Sequence, residues 1–146
     1  MRTAPLRLML FDRTCTGPRM RPGLSHAWWT GGHLYRALRR FDAWHGVESW
    51  EEGLAWLASV HGERPITEIQ YWGHGKWGEL FVAREGLSAD ALRPTHRLHR
   101  HLEAIRERLV PEHLLWFRTC EAFGAERGQD FARRVTDFFG GRAAGH

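Results

Sequence analysis

Cysteine is scarce in this chain of 146 residues, which holds only Cys15 and Cys120. Two thiols exclude a disulfide scaffold and make a reducing cytoplasm the expected compartment. Long apolar runs are missing too. Leu8-Met9-Leu10-Phe11 is shorter than a signal-peptide core and runs into Asp12 and Arg13, and no run approaches bilayer-spanning length. Neither secretion nor membrane insertion is expected. Lysine is limited to Lys76, and the other basic residues, all arginine, are dispersed among 17 acids. The net charge of +4 and the isoelectric point near 9.8 admit an acidic partner. Dispersed charge reads as solvated surface, however, and nucleic-acid binding is not expected. There is no glycine-rich phosphate loop, because Gly31-Gly32 falls in a helical region and matches neither nucleotide fingerprint.

Aromatic residues are plentiful instead. Eight Trp and eight Phe, within a hydrophobic fraction of 42%, supply an ordered core and exclude disorder. The length suits a single domain over residues 1–146, with no repeat, linker or low-complexity segment.

Apolar periodicity predicts alternating strands and helices. Leu6 to Phe11 is a first strand, followed by a turn-forming stretch from Asp12 to Gly23. Leu34, Leu38 and Phe41 form the stripe of a first helix between Ser25 and Phe41, with Trp28, Trp29 and Tyr35 beside it. Ala43 to Val47 leaves room for a short strand or a loop. Ser49-Trp50-Glu51-Glu52 is a capping box opening a second helix that stops at His61-Gly62. Ile66 to Trp72 is a strand on which Glu68 and Gln70 share one face, although a strand covered on both sides should be apolar on both. Lys76-Trp77-Gly78 turns into a small strand over Glu79 to Val82, and Ser88 caps a short helical turn. Thr95 caps a longer helix carrying Leu98, Leu102, Ile105 and Leu109 and ending before Pro111. Phe131, Val135, Phe138 and Phe139 mark a final helix closed by Gly140-Gly141. The expected fold is α/β, a three-layer sandwich around a mainly parallel central sheet.

Two apolar runs end in reactive side chains. Ile69-Gln70-Tyr71-Trp72-Gly73 leads to His74-Gly75, and Leu114-Leu115-Trp116-Phe117-Arg118-Thr119 leads to Cys120, 46 residues further on. The carboxyl ends of parallel strands share one sheet edge, so an imidazole and a thiol so placed can form a base and a nucleophile. Gly75 lets a substrate approach the backbone, and its N–H, with that of Cys120, can hold a developing oxyanion.

On these residues the chain resembles the caspase-like cysteine peptidase superfamily, which includes caspases, gingipains, separase and bacterial CHAT domains. The shared pattern is an apolar strand ending in His-Gly and a second ending in Cys, at a separation near the roughly 50 residues of caspases. Gly128, Phe131 and Gly140-Gly141 are similar to the helix that follows the nucleophile in several bacterial members. The resemblance implies a caspase-like domain in which Cys120 attacks a peptide bond, His74 is the base, and Gly75 and Cys120 form the oxyanion site. It implies a peptide or protein substrate and no cofactor. Thr119 and Glu121 depart from the family's local signature, so caspase-type Asp specificity is not implied. Relatives continue into further strands beyond the last helix, so the chain resembles a large-subunit core alone, for which a partner chain, a dimer or a loss of activity would each account. Two other readings remain open: a catalytically silent interaction module presenting Trp28, Trp29 and Trp77, and a flavodoxin-like small-molecule binder.

Asp12 and Cys15 follow the first strand and read chiefly as turn residues. Asp12 is also a candidate to orient an imidazole, and Cys15 to pair with Cys120. Arg13 and Arg118 are candidates to meet an acidic substrate group, with surface pairing the plainer role. His96 and His99 share a helical face, but His101 points elsewhere and Arg97 and Arg100 oppose a cation, so no metal site is expected.

Overall fold

The structure is a computed structural model, and it describes residues 3–16, 23–37 and 40–146. Five parallel strands form the central sheet: β1 (Leu6–Asp12), β2 (Ala43–Val47), β3 (Ile66–Trp72), β7 (Leu109–Arg118) and β8 (Arg142–Ala144). Their order is β2-β1-β3-β7-β8, the doubly wound 2-1-3-4-5 arrangement when the parallel strands alone are counted. A second, antiparallel sheet of β4 (His74–Lys76), β5 (Glu79–Val82) and β6 (Glu85–Ser88) is inserted after β3. The described residues also form four α-helices: α1 (Leu24–Ala37), α2 (Trp50–Ser59), α3 (His99–Arg108) and α4 (Ala125–Phe139). No helix among the described residues is long and apolar enough to cross a membrane.

Side-chain alternation along the strands divides the core into two layers. Leu6, Leu8 and Leu10 of β1, Ile69 and Tyr71 of β3 and Leu115 of β7 face one cluster, which Leu54 and Leu57 of α2, Leu102 and Ile105 of α3, and Phe131 and Val135 of α4 cover. Met9, Phe11 and Trp72 point the other way, into a smaller cluster with Phe41, Trp28, Tyr35 and Trp44. One helix, α1, covers that second face, which explains the polar residues on β3. Gln70 is buried there, and its amide is satisfied by the Trp72 indole N–H and the Glu68 carboxylate.

The helix expectations hold for existence more than for faces. Leu34 is 59% exposed, Leu38 lies outside the described residues, and Phe41 is buried beyond the end of α1. The inward face of α1 runs instead through Trp28, Gly31, Gly32 and Tyr35. Glycine is needed at 31, where a Cβ would stand 2.7 Å from the Trp72 ring. Large rings on the sheet took the space that aliphatic side chains on the helix were expected to fill. Ala43 to Val47 is a strand. Ser49 caps α2 by accepting from the Glu52 N–H at 3.2 Å, but the Glu52 carboxylate reaches back to the N–H of Glu48, and the helix ends at Ser59, before His61-Gly62. Ser88 caps a 3-10 turn over Ala89–Leu92 as expected. Thr95 caps nothing: α3 starts at His99, and the His96 ring accepts the N–H of Leu98 instead.

Two strand expectations also need correction. β7 begins at Leu109 rather than Leu114, with a register break between Ile66 and Glu68 that lets residues 110–113, Pro111 among them, bulge from the ladder. The residues after Gly140, whose φ of 71° ends α4, pair with β7 as the fifth strand, Leu114 to Arg142 through Trp116 to Ala144. A strand of three residues carries too little pattern to be seen in sequence.

Candidate active site

Trp72 of β3 lies in register with Arg118 of β7. His74 and Cys120 each stand two residues past that pair, at the carboxyl ends of adjacent central strands. Both side chains are exposed. The strands do not run on to these residues, however. β3 stops at Trp72, and after Gly73 the chain turns so that His74 opens β4 of the small sheet; β7 stops at Arg118, and Cys120 lies in the loop before α4.

The two segments are packed onto each other. Gly75 lies against Thr119 and Ala122, so closely that a Cβ there would meet the Thr119 Oγ1 at 2.6 Å and the Ala122 Cβ at 3.2 Å. The Trp77 and Gly78 N–H groups donate to the Glu121 and Ala122 carbonyls, each at 2.8 Å. Trp77 and Gly78 are the two residues between Lys76 and Glu79, which pair across the hairpin, and their φ values of 44° and 88° are those of a type I′ turn. Glu121, directly after the thiol, has a φ of 48°, an uncommon conformation for a residue with a Cβ. Pairing alternates along an antiparallel ladder. With Lys76–Glu79 the hydrogen-bonded pair next to the turn, Gly75–Leu80 is the open pair, which aims the Gly75 N–H away from β5.

Trp28 of α1 meets the His74 ring edge-on, with centroids 5.9 Å apart. The imidazole is thus braced by an indole. Asp12 takes no part in that: its carboxylate is wholly buried and accepts from the Thr14 N–H and hydroxyl, the Cys15 thiol and the Ala83 N–H. Cys15 and Cys120 are both free thiols. Burial, followed by the Asp12 charge, pushes the Cys15 thiol up to about 11, which keeps it protonated and a hydrogen-bond donor. Of the two sulfurs Cys120 alone is an exposed thiol at this sheet edge.

In comparisons with known proteins, no family model, no curated protein and no solved structure matches this chain.

Arg13 pairs with Glu48 at 3.2 Å on the surface. Arg118 forms no surface ion pair among the described residues. Its guanidinium lies over the Trp72 and Trp116 rings, 4.6 and 4.8 Å from their centroids, and donates to the Tyr35 hydroxyl. The imidazoles of α3 are separately engaged, His99 with Glu103 and His101 with Glu51. Trp28, a packing residue by its spacing, is the site residue whose role sequence did not disclose. Its contact joins positions in α1 and β4 that no local pattern links.

Proposed function

We propose that this domain is a caspase-like cysteine peptidase, hydrolysing a peptide bond with Cys120 as nucleophile and His74 as base. The reading rests on one observation: His74 and Cys120 occupy equivalent positions past a registered pair on neighbouring parallel strands, with Gly75 packed on Thr119. In the reaction the Cys120 thiolate attacks the carbonyl carbon of the scissile bond. The oxyanion is held by the N–H groups of Gly75 and Cys120, and the protonated His74 passes its proton to the departing amine. Water, deprotonated by His74, then attacks the thioester, releasing the acid and restoring the thiol.

A catalytically silent interaction module of the same fold is the second reading, favoured by the exposed indoles of Trp29 and Trp77. A small-molecule site outside β1 and β3, where a doubly wound sheet takes its ligand, is disfavoured. There the Ala83 N–H, from the turn between β5 and β6, already donates to Asp12.

Alkylation by iodoacetamide separates the first two. The peptidase reading expects rapid, stoichiometric labelling of Cys120 at neutral pH that is lost in His74→Ala. Equal, slow labelling of both proteins overturns it in favour of the interaction module.

A further inference from the structure

The antiparallel sheet that carries His74 is held to the central sheet through buried polar side chains that the proposed chemistry does not use. Trp50 of α2 donates its indole N–H to the Leu80 and Glu85 carbonyls, both at 3.1 Å. Asp12 of β1 accepts the Ala83 N–H at 2.9 Å. Tyr71 of β3 donates its hydroxyl to the Phe81 carbonyl. This last contact differs from the others in where it falls. Phe81 is the residue paired with His74 across the β4–β5 ladder. The Tyr71 ring also folds back over Gly73, the residue between β3 and His74, so closely that no side chain fits there. Tyr71 therefore contacts the backbone on both sides of the imidazole: the residue before it and its cross-strand partner.

We propose that Tyr71 is a positioning residue for His74, its hydroxyl fixing the direction in which the β4 backbone presents the imidazole to Cys120. The inference rests on the His74–Cys120 reading above. Tyr71 suits the task because it is buried, with its ring packed on Trp50 at a centroid distance of 4.8 Å. Burial, with the charges of Asp12 and Cys15 adding to it, raises its hydroxyl well above the ordinary phenol range, so it remains a donor throughout the working range of pH. Phenylalanine at this position keeps the ring and removes the single hydrogen bond. Trp50 and Asp12 continue to hold the β5–β6 hairpin, so the small sheet stays docked while the His74 strand loses one of its constraints, the one at its cross-strand partner.

The test compares the pH profile of iodoacetamide alkylation at Cys120 in the full chain, Tyr71→Phe, His74→Ala and Ile105→Val. The last is a core truncation on α3 that lowers the melting temperature while leaving every hydrogen bond to the small sheet in place. Tyr71→Phe is expected to remain folded, to label roughly tenfold more slowly at neutral pH, and to move the midpoint of the profile toward that of His74→Ala. Ile105→Val should melt earlier with the wild-type profile. If His74→Ala changes the profile and Tyr71→Phe leaves it unmoved, or if Ile105→Val moves it as far, the positioning role is overturned while the dyad stands. If His74→Ala itself leaves the profile unchanged, the dyad reading fails, and the positioning role with it.

Discussion

Gly75 and Thr119 pack so tightly that a Cβ on the glycine would stand 2.6 Å from the threonine Oγ1 and 2.9 Å from its Cβ. This contact locks the segment bearing His74 to the one bearing Cys120. Gly75→Ala should therefore cost about 1–3 kcal/mol through overpacking and also slow Cys120 alkylation. Thr119→Gly removes both threonine atoms, so the double variant should be clearly less destabilised than the sum of the single ones. A double-mutant cycle by urea denaturation measures this, and strict additivity would show that the two residues do not press on each other.

The same threonine carries a cost of its own. Thr119 is buried, and its Oγ1 finds no hydrogen-bond partner among the described residues. Valine has the same shape without the hydroxyl. Thr119→Val should raise stability by about 1 kcal/mol, seen as a higher urea midpoint at unchanged slope. A lower midpoint would mean that the hydroxyl is satisfied.

Two adjacent glycines in α1 should respond in opposite directions. Alanine is favoured over glycine in a helix interior by about 1 kcal/mol. At Gly32 a Cβ meets the flexible Met9 sulfur at 3.4 Å, whereas at Gly31 it meets the Trp72 ring at 2.7 Å. Gly32→Ala should be neutral or stabilising and Gly31→Ala destabilising, which thermal melts of the two variants compare directly. Equal effects would place α1 differently on the sheet.

Alkaline stability should depend on Cys15. Its pKa is raised from 9.0 to about 11, so the folded state holds this proton more tightly than the unfolded chain. The contribution is complete below pH 9.0 and is lost as the pH rises through about 11. Tyr71, also raised, loses its share higher in the alkaline range. Cys15→Ala should flatten the fall in urea midpoint between pH 9.0 and about 11 while leaving the steeper loss above it. An unchanged curve would remove Cys15 from the account.

Local signals in the sequence located most elements because their causes are local. The Ile66–Trp72 strand, the Ser49 cap and the Gly140 stop each depend on residues within a few positions of themselves. Leu34 misled because helical spacing shows a face without saying what lies opposite it. Thr95 misled because a capping residue competes with its neighbours, here the His96 ring, for the same amide groups. In the candidate site, His74, Gly75 and Cys120 were legible as ends of apolar runs. The contacts of Trp28 and Thr119 with those segments were not, since each joins residues distant in the chain, and those of Tyr71 with Gly73 and Phe81 depend on how the chain turns into the second sheet.

By itself the sequence determined an α/β domain with an aromatic-rich core and set a thiol and an imidazole just past two apolar strands, because periodicity and chain punctuation are properties of short segments. Only the tertiary structure decided that those strands are neighbours in register, that His74 belongs to a second sheet, and that Asp12 and Cys15 bond to each other rather than to the imidazole or to Cys120. Strand order, register and the partners of buried polar groups follow from which packing satisfies the whole chain at once, and no short segment holds that information.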